Sequence, residues 1–144
     1  MELEKRNRAL QMLYAGMLAD SVLQLGREGV LETVTQRKRQ EQMAQGRLID
    51  AQLGVSRPEE VFPTLYEIAG CSPWEIKTME DGFAAEARSC LLCGIAKKVG
   101  APSPCRIYCL NPMEGMVKGL NPELRYEVKE TLWEGERCRI EVTG

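Results

Sequence analysis

The stretch Glu75-Ile76-Lys77-Thr78-Met79-Glu80-Asp81-Gly82-Phe83-Ala84-Ala85-Glu86-Ala87-Arg88-Ser89 decides the fold class. Polarity alternates from Glu75 to Glu80 and again from Phe83 to Ser89, the period of a strand whose two faces meet different surroundings. Asp81-Gly82 between them is a two-residue hairpin signal. A second alternation closes the chain. Leu124, Tyr126, Val128 and Leu132 mark one face of a strand, Glu134-Gly135 turns, and Cys138, Ile140 and Val142 mark the inner face of a last strand. Between the hairpins, Leu91 to Val99 predicts a short helix stopped by Gly100, and Ala101 to Pro104 a loop. Cys105 to Gly119 predicts another helix whose regularity Asn111-Pro112 and the glycines break.

Upstream the texture is helical. Residues 2 to 53 contain no proline and are dominated by Ala, Leu, Met, Gln, Glu and Arg. Leu10, Leu13, Tyr14, Met17, Leu18 and Ser21 follow the spacing of one largely apolar helix face, with Gly26 as its stop and Gly29 in the connection. A second helix is expected from Val30 to Leu53, capped by Gly54. Val30, Leu31, Val34, Met43, Leu48, Ile49 and Leu53 form its apolar side, and its polar middle, Gln36 to Gln42, suits solvent or a partner subunit. Ser56-Arg57-Pro58-Glu59 reads as a capping box opening a short helix through Ile68, closed by Gly70, with Pro63 as a potential kink. The whole predicts an α+β fold: an N-terminal helical hairpin or arm, then an antiparallel sheet of two β-hairpins with intervening helices. Residues 1–54 form the helical region, suited to dimerisation, and 55–144 the α+β ligand-binding region, within one domain.

Composition narrows the chemistry. The 144 residues are 44% hydrophobic and 28% charged, with a net charge of −2, six cysteines and no histidine. Absence of histidine excludes Ser-His-Asp and Cys-His nucleophile systems and any zinc site with a histidine ligand. No apolar run is long enough to span a membrane. Glu2-Leu3-Glu4-Lys5-Arg6 lacks a signal peptide's apolar region, so the cytoplasm is the expected compartment and thiols or metal ligands the expected state of the cysteines. The acidic balance argues against nucleic acid as partner. The cluster Arg37-Lys38-Arg39, flanked by Glu32 and Glu41, reads as a solvated helix face.

The cysteines carry the chemical argument. Cys90-x2-Cys93 and Cys105-x3-Cys109 make two close pairs. Four thiolates so grouped suit a zinc or iron-sulfur site; buried free thiols, some lining a pocket, are the alternative. Cys138 alternates with Ile140 and Val142 and points at the core or at a pocket over the sheet, and Cys71 receives no role. Glu114, Tyr108, Met113 and Met116 are candidate pocket residues, and Trp74 and Trp133 candidate stacking or packing residues; Glu127 and Glu130 read as solvated.

Gly46-Arg47-Leu48, Leu53-Gly54-Val55, Pro58-Glu59-Glu60-Val61-Phe62, Cys90-Leu91-Leu92-x-x-Ile95-Ala96-x-x-x-Gly100, Cys109 and the ending Glu127-x-x-x-Thr131-Leu132-Trp133-x-Gly135-x-x-Cys138-Arg139-Ile140 occur in that order. Over roughly residues 30 to 142 this order resembles the L-2-amino-thiazoline-4-carboxylic acid hydrolase-like family, and more distantly the 4-vinyl reductase-like small-molecule-binding domains. The resemblance implies helices and a sheet enclosing a ligand pocket. The ligand would be a small apolar or heterocyclic molecule, in the named enzyme a thiazoline opened to an N-carbamoyl-cysteine. In vinyl-reductase-type sensors a cysteine cluster near the sheet holds zinc. Two of its positions correspond to Cys109 and Cys138, but Thr131 and Leu132 stand where a close cysteine pair is expected.

Three functions follow as expectations. The first is a small-molecule-binding domain with a cysteine-lined pocket or a Cys-only metal site, its ligand touched by Tyr108, Met113, Trp133 and Cys138 and its metal, zinc, held by Cys90, Cys93, Cys105 and Cys109. The second is a hydrolase acting on a cyclic C–N or C–S bond, with Cys90 or Cys109 as thiolate and Glu114 as acid/base; Lys97, Lys98 and Arg106 are the nearby cations that favour a thiolate. The third is a structural homodimer built on the long helices.

Overall fold

The computed structural model describes residues 1–144. Helices α1 (Leu3–Arg27) and α2 (Leu31–Leu53) are joined through Gly29, whose φ of 71° reverses the chain. The stop expected at Gly26 thus falls at Gly29. Gly26 stays helical beneath the Pro102 ring, which a Cβ there would approach to 2.9 Å. The face α1 buries is Ala15, Ala19 and Val22. Leu10, Leu13 and Met17, half of the stripe read from the sequence, stand 58%, 65% and 72% exposed.

Gly54 ends α2 with a φ of 72°, as its position predicts. The cap that follows shifts by one residue: Glu60 rather than Glu59 accepts the N–H groups of Ser56 (3.0 Å) and Arg57 (2.9 Å). It opens a 3-10 turn, Pro58–Glu60, that leads into α3 (Val61–Ala69). Pro63 lies in the first turn of α3, where no helical partner for its missing N–H exists.

Strands β1 (Glu75–Met79) and β2 (Gly82–Ala87) form the first hairpin. Met79 pairs with Gly82, so the turn is Glu80-Asp81 rather than Asp81-Gly82, and neither residue takes a positive φ. Gly82 is needed for another reason: a Cβ there would collide with the Val142 carbonyl. After α4 (Leu91–Lys98) comes one continuous helical run, a π-helical segment Arg106–Leu110 and α5 (Asn111–Leu120). Strands β3 (Arg125–Glu130) and β4 (Cys138–Thr143) form the second hairpin. Leu132 falls outside it, in a connection longer than the Glu134-Gly135 turn.

The antiparallel sheet has the order β1-β2-β4-β3, so the hairpins join through β2 and β4. Phe83 pairs with Val142, Ala85 with Ile140 and Ala87 with Cys138, placing the alternating residues on one buried face. Phe62 of α3 and Met113, Met116 and Val117 of α5 pack over that face, with Phe62 edge-on to Phe83 at 5.8 Å. On the other face, β2 carries Glu86, 4% exposed, held by Lys77 (2.8 Å), Arg137 (3.0 Å) and Arg139. The α+β architecture is as the alternations require. No helix is long and apolar enough to cross a membrane.

The glycines of α5 do not break it. A Cβ on Gly46 of α2 would overlap the Gly115 carbonyl, one on Gly115 would overlap Gln42, and one on Gly119 would stand 2.6 Å from the Arg47 nitrogen. Small residues at these three positions let α2 and α5 cross with backbones nearly touching.

Candidate functional site

Two cavities flank α2 and the π-helical segment. The larger, about 980 Å³, is polar. Arg39 of α2, Arg106, Asn111, Glu114 and Tyr126 line it, with Trp133 and Glu134 of the β3–β4 connection at its edge. The smaller, about 390 Å³, is mostly apolar. Tyr14, Leu18, Ile49, Leu65, Trp74 and Met116 build its walls, and Cys71, Cys90 and Cys109 open onto it. The polar middle of α2 is therefore not a plain solvent face: Gln36 and Arg39 line one cavity, Lys38 and Gln42 the other.

Pro112 explains why the two cavities present different residues. It has no N–H, so a helix running through it must leave a carbonyl unbonded. The chain answers with a π turn, Asn111 N–H donating to the Arg106 carbonyl, and Gln42 Nε2 donates to the Ile107 carbonyl at 2.8 Å, the position a π-spaced N–H of Pro112 would have served. Widened in this way, the segment presents Arg106, Ile107 and Leu110 to the polar cavity and Tyr108 and Cys109 to the apolar one. Gln42 Oε1 is left buried and without a partner.

Cys90 occupies the N-cap of α4. Its sulfur accepts the Cys93 N–H at 3.4 Å, and the Leu91 N–H goes to the Cys71 carbonyl at 2.8 Å, so two orphan donors of the helix start are satisfied. Hydrogen bonds from the Cys93 thiol, the Ser72 hydroxyl and the N–H groups of Cys93 and Leu92 outweigh burial and bring the Cys90 pKa down to about 6. The Cys93 sulfur also touches that of Cys105 at 3.6 Å, and a hydrogen bond from Cys93 likewise pulls Cys105 downward. One thiol proton cannot serve both neighbours, and the Cys93 backbone N–H serves Cys90. The thiolate therefore rests on Cys90 and Cys93 stays protonated, its own pKa pushed up. Burial raises Cys109 well above the usual thiol range and raises Cys71 and Cys138 to about 11. Cys90 thus sits at a helix start, on the wall of a small apolar cavity, with donors that favour its ionised form.

The sequence matches the L-2-amino-thiazoline-4-carboxylic acid hydrolase family from residue 5 to residue 141, nearly its whole length. The chain belongs to that family. No curated protein and no solved structure gives a match. The family match reaches back into α1, which the sequence resemblance, beginning near residue 30, did not include. The family is named for a hydrolase of a small molecule, and the fold supplies this member with a mostly apolar cavity of about 390 Å³.

The hydrolase-family fold distributes the expected site residues over three places. Cys90, Cys109, Tyr108 and Met113 meet at the apolar cavity. Glu114, Cys105 and Trp133 line the polar one. Cys138 lies beneath the β3–β4 connection, accepting the Leu132 N–H at 3.2 Å. Glu114 is bonded by Arg39 (2.6 Å) and Lys118 (2.9 Å). Burial pushes its pKa up, these bonds outweigh that, and it stays a paired carboxylate away from Cys90. Lys97 serves the connection, donating to the Leu132 carbonyl at 3.0 Å and lying 5.3 Å from the Trp133 ring centre.

The four-cysteine zinc set does not assemble. No group of three or more cysteines and carboxylates has the arrangement of a metal site. The Cys93 sulfur touches that of Cys105 at 3.6 Å, while Cys90 and Cys109 line the apolar cavity. Cys71, Ser72, Tyr14 and Gln42 are cavity residues that sequence reading left without a role. Their common signal is only spatial, because they come from two separate helices and a loop.

Proposed function

We propose that the apolar cavity binds a small amino-substituted heterocycle bearing a carboxylate and that Cys90 opens its ring. The observation that carries this is the Cys90 sulfur at the start of α4 on the cavity wall, accepting the Cys93 N–H; its lowered pKa and membership of the thiazoline-carboxylate hydrolase family support it. Apolar walls suit the ring. Lys38, on the cavity lining, supplies a cation for the carboxylate. In an aminothiazoline the Cys90 sulfur attacks the C=N carbon, the ring C–S bond breaks and the ring sulfur leaves with a proton. Water then attacks the same carbon and Cys90 leaves as thiolate, so that one ring and one water become an N-carbamoyl-cysteine. Tyr108, bonded to Ser21 at 2.6 Å, and the protonated Cys109 are the cavity's proton sources, and Tyr108 and Met113 contact the ligand. Glu114 acts on the polar side as the positioning partner of Arg39.

Incubating the chain with the aminothiazoline carboxylate and counting new thiols tests this. Thiol release is expected, with loss of at least about 100-fold in Cys90→Ser and a raised KM in Lys38→Ala. Full turnover by Cys90→Ser would overturn the nucleophile. Binding without turnover in the wild-type chain would leave the small-molecule-binding domain as the function.

The exposed stripe of α1 favours one partner, a second copy. Leu10, Leu13 and Met17, with Leu3 seven residues before Leu10, are 58% to 72% exposed and follow the three-, four- and seven-residue spacing of a helix–helix seam. We assign the chain to the reducing cytoplasm, where a catalytic thiolate persists.

A further inference from the structure

Cys93 and Cys105 take no part in ring opening, yet they are packed against the one cysteine that does. The Cys93 backbone N–H donates to the Cys90 sulfur at 3.4 Å, and the Cys93 sulfur stands 3.6 Å from that of Cys105. Cys90 is partly exposed and faces the apolar cavity, Cys93 is buried, and Cys105 lines the polar cavity. Three thiols therefore run in a row through the wall between the two cavities. Cys90 and Cys93, three residues apart at a helix start, have the spacing of a dithiol that closes to a disulfide. The Cys93 and Cys105 sulfurs need only side-chain rotation to close from contact to bonding distance.

We propose that Cys90, Cys93 and Cys105 form a thiol–disulfide redox centre that takes a small hydroperoxide through the apolar cavity and ends as a Cys93–Cys105 disulfide. It rests on the Cys90 assignment above and not on the heterocycle. The Cys90 sulfur attacks the terminal peroxide oxygen and the O–O bond breaks. The alkoxide leaves and takes a proton from water to become an alcohol, and Cys90 becomes a sulfenic acid, oxidised by two electrons. Cys93 attacks the Cys90 sulfur, the S–S bond forms, and hydroxide leaves with the Cys93 proton as water. The hydroxide left when water protonated the alkoxide takes the Cys105 proton and returns as water, the Cys105 thiolate so formed attacks the Cys93 sulfur, and Cys90 leaves as thiolate. Two thiols and one hydroperoxide become one disulfide, one alcohol and one water. Two equivalents of a low-molecular-weight thiol, reaching Cys105 from the polar cavity, restore the dithiol and leave as their own disulfide. While Cys93 is oxidised it has no proton to donate to Cys90, so ring opening slows when oxidant is present.

One equivalent of cumene hydroperoxide added to the full chain, without heterocycle, tests the relay. The chain should lose two of its six free thiols. Trypsin should then yield peptide 89–97, holding Cys90 and Cys93, joined to peptide 99–106, holding Cys105. Cys105→Ser should stop at a disulfide internal to 89–97, and Cys93→Ser at a Cys90 sulfenic acid that dimedone captures. Six retained thiols, a sulfenic acid on Cys71 or Cys109, or a 89–97 to 99–106 link formed equally fast in Cys90→Ser would each overturn it. Ring opening by a chain that ignores peroxide overturns the relay alone, and a working relay in a chain that opens no ring overturns only the hydrolase.

Discussion

Cys90 and Asp50 are two ionisable groups whose environments push them in opposite directions. Cys90 receives donors from Cys93, Ser72 and the start of α4 and is held near pH 6. Alkylation by iodoacetamide should therefore rise through about pH 6 at Cys90 while Cys71 and Cys138, raised to about 11 by burial, stay slow. Cys93→Ala removes the largest of those donors and should move the midpoint toward the ordinary 9.0; mass spectrometry of the labelled peptides reads both. Asp50 of α2 is 1% exposed, and neither carboxylate oxygen has a partner. Burial raises its pKa from 3.8 to about 6. The folded state then binds its proton more tightly than the unfolded state, so stability is fullest at low pH and is lost as pH rises through about 6. Asp50→Asn should remove this loss and add about 3 kcal/mol at pH 8, with a much smaller effect near pH 4. Urea unfolding at the two pH values checks it.

At the level of elements, glycines and one proline do work that their sequence context mislabels. Gly115 and Gly119 look like helix breakers, and Asp81-Gly82 looks like a turn. In the fold Gly46, Gly115 and Gly119 make the α2–α5 crossing and Gly82 makes room for β4. Gly46→Ala should cost about 1–3 kcal/mol, because the atom its Cβ meets is backbone and cannot move aside. Gly16→Ala, with nothing within 4 Å of its Cβ, should instead stabilise by up to about 1 kcal/mol. Thermal unfolding of the pair separates packing from helix propensity. Periodicity made the helices, both hairpins and the positive-φ caps at Gly54, Gly70 and Gly100 legible, since these depend on neighbours in sequence. The turn register, the Glu60 cap and the π segment were shifted or missed because contacts from Val142, Ser56 and Gln42 choose among local alternatives of similar energy.

Across the whole molecule, the cavities and the outer face of α1 are what four antiparallel strands and crossed helices leave over. The exposed stripe predicts a dimer that Leu13→Glu with Met17→Glu turns into a monomer, read by sedimentation, with Cys90 alkylation unchanged. An unaltered sedimentation coefficient would remove the α1 seam.

The sequence by itself determined the α+β class, the two hairpins, the inward alternation of Cys138, Ile140 and Val142, and, by the absence of histidine, a chemistry left to thiols, carboxylates, hydroxyls, lysine amines and the backbone. These are properties of period and composition, and they survive any packing. Only the tertiary structure decided which cysteine is a thiolate, that Cys105 and Cys109 face different cavities, and that Glu114 is paired away from Cys90. Those outcomes depend on proton donors and ion partners from distant helices, and a thiol's charge is set by what lies within a few ångströms of it.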